Sequence, residues 1–167
     1  MPPMQQHLLE TLRFVHTSIH ELLDPFPEAQ CRHQPTPDAA PVLWQVIHLA
    51  VSNGWFISLI DPPSAKGMMP DAWWEQYGYK SDPNDQHPDP PTLSEAIAAL
   101  DRSQDVFINL IEARDDDALL DTAPDERSHG FVKPVADVAH RKIWHDGWHS
   151  GQISAIRKAL KFDPVFP

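Results

Sequence analysis

Four stretches whose apolar residues recur at three- and four-residue spacing, set apart by proline-rich connections, constrain this chain more than any other feature. The first runs from about Met4 to Leu23, with Leu8, Leu12, Val15, Ile19 and Leu22 on one side, until Asp24-Pro25-Phe26-Pro27 stops it. The second begins near Asp38, a candidate N-cap, carries Trp44, His48, Val51, Trp55 and Leu59 on its side, and ends before Asp61-Pro62-Pro63. The third opens with the capping-box pattern Thr92-Leu93-Ser94-Glu95, presents Leu93, Ile97, Leu100, Phe107 and Ile111, and fades into the acidic run Asp115-Asp116-Asp117. The fourth runs from about Val135 to Lys161, with Val138, His145, His149, Gln152, Ile156 and Leu160 as its inward stripe. There is no internal repeat, low-complexity tract or alternating strand pattern. These signals predict an all-α fold, an up-and-down four-helix bundle forming a single domain over residues 1–167.

The connection from Asp61 to Pro91 is long for a compact domain and lacks clear periodicity, which points to a lid or binding loop. Met68, Met69, Trp73, Trp74, Tyr77 and Tyr79 are not solvating side chains, so the segment is expected to pack over the bundle mouth, line a substrate pocket or meet a neighbouring subunit. Pro83, Pro88, Pro90 and Pro91 stiffen it.

Charge narrows the class of partner. Thirteen Lys+Arg against 24 Asp+Glu give a formal net charge of -11, which repels phosphate backbones and anionic membrane surfaces and disfavours nucleic acid. No apolar run is read as approaching the roughly 20 residues of a membrane helix. The start, Met1-Pro2-Pro3-Met4, lacks the basic and apolar regions of a signal peptide, so a cytoplasmic location is expected. The lone Cys31 has no partner for a disulfide or a thiolate metal site. A metal here must be held by imidazole and oxygen.

The chain has ten histidines, and their placement distinguishes them. His145 and His149 sit one turn apart on the fourth stretch, where their Cβ atoms come within roughly 6 Å and both rings can reach one ion. His48 is centred in the apolar stripe of the second stretch and can meet that pair if the two helices are antiparallel neighbours. The bland alternatives are a core histidine satisfied by a hydrogen bond and a chance pair. His16 and His20 have the same spacing but lie at the edge of their stripe, and they read as boundary residues. Three imidazoles with an open position make a catalytic arrangement, whereas a structural zinc is closed by four ligands; His7, His16 and His20 are outside candidates for a fourth. Gly151, interior to a helix where glycine costs about 1 kcal/mol, suggests either a close approach by a backbone or ligand or tight helix packing. Gln152 is a candidate second-layer partner and Arg141 a candidate contact for an anionic substrate group. Asp146 points about 100 degrees away from His145 on a helix and is a poor general base.

His145, His149, Gly151 and Gln152 fall on the His-x-x-x-His-x-Gly-Gln signature of the DinB-like superfamily, which this segment resembles, and His48 is similar in placement to that family's first histidine. The resemblance covers nearly the whole chain in helix order and spacing. It implies a four-helix bundle with a three-histidine site for a divalent metal, zinc or nickel, often in a homodimer. It further implies a metal-dependent hydrolase, or an S-transferase that uses a low-molecular-weight thiol as nucleophile on a small-molecule substrate. Trp148 directly before the second motif histidine, and a helix tail without the expected glycine C-cap, depart from the pattern and bear on substrate type. A zinc-class ion on neutral imidazoles lowers the pKa of bound water or holds a thiol as thiolate. With no inward carboxylate seen on the second helix, thiol transfer is mildly favoured over hydrolysis. The alternative is a non-catalytic bundle that binds a metal or small ligand as a sensor or interaction module.

Overall fold

Each of the four apolar stretches folds as a long helix. The computed structural model describes residues 3–24, 26–85, 87, 89–122 and 134–165. Among these are seven helices and no strand: α1 (Met4–Leu23), α2 (Val42–Ile60), α3 (Pro62–Ala65), α4 (Asp71–Tyr77), α5 (Leu93–Glu112), α6 (Asp116–Leu120) and α7 (Val135–Ala159). The capping box forms as read: the Glu95 amide donates to Thr92 Oγ1 at 3.2 Å and the Thr92 amide to Glu95 Oε2 at 2.8 Å. Asp38, by contrast, is not the N-cap of α2; that position is Pro41, three residues later. The acidic run after α5 caps twice. Asp115 accepts from the Ala118 amide, and Asp116 reaches across to the Met4 and Gln5 amides at 3.0 and 2.9 Å, satisfying the first turn of α1.

Contacts at the two ends of the molecule fix the helix directions. At one end the Leu43 amide donates to the Cys31 carbonyl, the Leu93 amide to the Glu28 carboxylate, and Arg157 to the Leu22 carbonyl. This gathers the N-termini of α2 and α5 with the C-termini of α1 and α7. At the other end Asp116, just past α5, holds the start of α1, and the Val135 amide donates to the Asp121 carbonyl. So α2 and α5 run parallel to each other, α1 and α7 likewise, and the two pairs are antiparallel. This corrects the up-and-down order expected from the sequence. Between α2 and α5 the chain must return along the bundle, about 28 Å for the 19 residues of α2. That return explains the length of the connection, which contains α3 and α4. Met69 and Tyr77 enter the core, Met68, Trp73 and Trp74 pack against it, and Tyr79 alone of the large residues singled out there is left 90% exposed.

α2 also corrects a second expectation. Its 19 residues are long and apolar enough, by length and composition, to cross a membrane, yet 72% of that window is buried within the fold. The apolarity is that of a central core helix, packed against α5, α7 and the crossover helices.

The core divides into two apolar clusters. One joins Ile19, Leu22, Val46, Ile47, Leu100 and Ile153; the other joins Leu8, Leu12, Ile57, Phe107, Ile111 and Val138. Between them lies a belt of buried polar side chains from α2, α5 and α7: Asn53, Ser103, Gln104, Lys142, Asp146 and His149. Asn53 donates to Ser103 at 3.0 Å, and Lys142 Nζ, fully buried, pairs with Asp146 Oδ2 at 2.5 Å. These two contacts tie the belt together in pairs, while Asn53 Oδ1, Gln104 Oε1 and Asp146 Oδ1 are buried without a hydrogen-bond partner.

Candidate metal centre

The histidines that the sequence singled out meet at the edge of this belt. Antiparallel packing of α2 on α7 sets His48 opposite His145, with Nε2 atoms 3.3 Å apart, and Gln45 opposite His149. Ring centroids are 5.3 Å apart for His48 and His145, 4.9 Å for His48 and His149, and 4.7 Å for His145 and His149. One donor nitrogen from each ring lies within 4.8 Å of the others.

The remaining ring nitrogens show how each imidazole is oriented. His48 Nδ1 donates to the Tyr77 carbonyl at 2.6 Å, which fixes the hydrogen on Nδ1 and leaves the Nε2 lone pair toward His145. His149 Nδ1 lies 3.2 Å from Gln45 Oε1, an acceptor, and is fixed in the same tautomer. His145 Nδ1 lies 3.6 Å from Asp146 Oδ1; both atoms are buried without a hydrogen-bond partner, and a shift of about half an ångström would join them. A backbone carbonyl, an amide oxygen and a carboxylate behind three imidazoles are the outer partners that metal-binding histidines use. Trp44 stacks on His48 at 4.7 Å and 11°, and Phe56 meets His145 edge-on at 5.8 Å.

Electrostatics favour the neutral, ligating form. Burial pushes His48 down to about 4, and burial, with His145 and His48 beside it, pushes His149 down to about 3. Burial opposes the charge of Asp146, but the neighbouring Lys142 ammonium, with His145, still holds its carboxyl below the usual range. A tetrahedral zinc site with Zn–N near 2.0–2.1 Å has ligand edges of roughly 3.3 Å, and the His48–His145 separation matches that edge. The three nitrogens, with two tautomers set by outside acceptors and orphaned buried atoms behind the third, fit a divalent metal.

The other candidates are placed differently. Gln152 is half-buried and Arg141 exposed, and neither joins the three-histidine group. His7 is exposed, while His16 and His20 lie against α5, so none supplies a fourth ligand there. Asp146, set aside as pointing away, is buried directly behind His145. Gly151 faces open space: a Cβ there would meet nothing within 4 Å, so the close approach suggested for it is absent. Trp148 is 57% exposed beside the buried His149. Gln45 was missed, although its position three residues before His48 puts both on one helical face. Cys31 is buried, its Sγ 3.0 Å from the Glu28 carbonyl, and burial followed by the Glu28 charge raises its thiol to about 11. It is not poised as a nucleophile. A cavity of about 230 Å³, lined by Arg32, Gln34, Trp44, Tyr77, Asn84 and His87 among others, reaches two of the residues that touch His48, Trp44 and Tyr77.

A family model for the DinB superfamily matches residues 11–153, a span that takes in all three histidines. None of the curated proteins searched matches the chain.

Proposed function

Because the chain belongs to the DinB superfamily, we propose that it is a divalent-metal-dependent enzyme whose ion is held by His48, His145 and His149, and that it transfers a low-molecular-weight thiol to a small electrophile. The observation that carries this reading is the convergence of three imidazoles whose far nitrogens face Tyr77, Gln45 and Asp146. Zinc or nickel held there would supply Lewis acidity toward a bound nucleophile. Tyr77 and Gln45 keep the Nε2 lone pairs available, and Trp44 covers one face of the His48 ring. Arg32, which with Trp44 lines the cavity of about 230 Å³, would receive an anionic group of thiol or substrate.

Thiol transfer is preferred to hydrolysis because the carboxylate beside the site, Asp146, stands behind His145 at 3.6 Å and is tied to Lys142. A hydrolase needs a general base on the substrate side. The nucleophilic sulfur would come from outside the chain, since Cys31 is buried in its protonated form. The same reading takes the working form as a cytoplasmic homodimer, with the exposed indoles of Trp144 and Trp148 as the surface a second copy would cover.

Elemental analysis of tag-free protein tests the centre, with about one equivalent of zinc or nickel expected at these residues and lost in His145→Ala and His149→Ala. Metal-loaded protein is then offered thiol and electrophile together, and amide or ester substrates alone. Turnover only with thiol supports transfer; turnover of esters without thiol would replace it with hydrolysis. A native chain that takes up no metal would leave only a non-catalytic ligand-binding bundle.

A further inference from the structure

A second convergence of metal-type donors lies on the α1–α5 side of the molecule. His16 and His20 are one turn apart on α1, and Asp101 faces them from α5. His20 Nε2 is 2.7 Å from Asp101 Oδ1, His16 Nε2 is 3.0 Å from the same oxygen, and the two Nε2 atoms are 3.3 Å apart. Protons on neutral rings cannot satisfy all three edges of this triangle. If both nitrogens carry hydrogen toward the carboxylate, they face each other as two donors; if one turns a lone pair to the other, its contact with Asp101 joins two acceptors. A cation allows all three lone pairs to aim at one point, and edges of this size suit a first-row ion with roughly 2.0–2.2 Å bonds to nitrogen and oxygen.

We propose that His16, His20 and Asp101 form a second site for a first-row divalent cation, a two-histidine, one-carboxylate set between α1 and α5, separate from the three-histidine centre. Neutral imidazoles with one carboxylate suit zinc, cobalt, nickel or iron(II) and leave positions open for water or an oxygen ligand. The side chains are 21%, 39% and 41% exposed, so an ion can enter and exchange. A groove of about 680 Å³ opens beside His20, and Glu21 and Asp24 on its wall draw cations toward it. The Lys142 ammonium, whose charge is felt at His16, is paired with Asp146 at 2.5 Å.

Cobalt(II) titrated into metal-free full-length protein, followed by calorimetry and visible absorption, tests this assignment. Two equivalents are expected in the native chain, falling to one in His20→Ala and in Asp101→Asn, with the remaining equivalent removed by His149→Ala. His20 and Asp101 are part-exposed, so the folded state of these variants can be checked by circular dichroism. In the native protein, paramagnetic broadening of the His16 and His20 imidazole proton signals gives the same answer without substitution. One equivalent that His20→Ala removes and His149→Ala spares would uphold the second site while overturning the three-histidine reading. A single equivalent untouched by His20→Ala, with sharp His16 and His20 signals, would reduce the triangle to a hydrogen-bonded cluster and overturn the proposal. So would a second equivalent that survives both Asp101→Asn and His20→Ala.

Discussion

Gln45 holds His149 by one contact, Nδ1 to Oε1 at 3.2 Å, while its own amide nitrogen is anchored on the Ala40 carbonyl at 3.0 Å. Gln45→Leu keeps the volume and deletes the acceptor. Loss of such an outer partner typically weakens metal binding 10–100-fold, so competition with a chromophoric chelator should show a loss in that range. An unchanged affinity would mean that packing alone orients the ring. A second single-residue test lies at the end of α7. Lys161 has φ of 62°, and the Lys161 and Phe162 amides return to the Lys158 and Arg157 carbonyls at 3.1 and 3.0 Å, which is the closing pattern normally built on glycine. The sequence has no glycine here; the turn forms anyway because these two bonds offset the left-handed conformation. Lys161→Gly should stabilise the protein by about 1 kcal/mol, read as a higher urea midpoint.

At the scale of the helix, the close approach suggested for Gly151 occurs at Gly54 instead. A Cβ on Gly54 would lie 2.8 Å from the Trp74 indole, so this glycine lets α4 lie against α2, and the Tyr77 carbonyl that orients His48 belongs to the same short helix. Gly54→Ala should cost about 1–3 kcal/mol through overpacking and weaken metal binding by displacing Tyr77. Gly151→Ala, which meets nothing within 4 Å, should instead stabilise by about 0.5–1 kcal/mol. Urea denaturation of the pair, expected to shift the midpoint in opposite directions, checks both. The reason Gly151 drew notice and Gly54 did not is physical. The approach to Gly54 comes from a connection whose two short helices have no periodic signal, whereas long amphipathic helices announce themselves. The extents of α1, α5 and α7, the capping box of α5 and the three histidines were legible for that reason. Helix direction was not: a stripe at a period of 3.6 reports which face is buried and is the same whichever way the helix points. The parallel course of α2 and α5 is set instead by contacts such as Leu43 to Cys31 and Leu93 to Glu28, which link residues far apart in the chain.

For the whole molecule, the three-histidine set ties α2 to α7, so an ion bound only by the folded chain stabilises it by linkage. Zinc at a free concentration 100 times its dissociation constant should add about 2.7 kcal/mol, a rise in thermal midpoint of roughly 5–10 °C. In His20→Ala, which lacks the second cation site proposed above, differential scanning fluorimetry should show this rise, its reversal by a chelator and its loss when His149→Ala is added; an equal rise in the double variant would place the stabilising ion elsewhere. The buried polar belt bears on the molecule in another way. Moving one helix lengthwise by a single turn, about 5.4 Å, would bring the Lys142 ammonium among the leucines of one apolar cluster and slide Asn53 away from Ser103. Either misalignment strands a buried polar group, at a cost of several kcal/mol when the group is charged. The belt therefore acts as a lengthwise key: slipped alignments that would satisfy the apolar stripes equally well are penalised, and residues that sit beside the chemistry also set the register of the bundle.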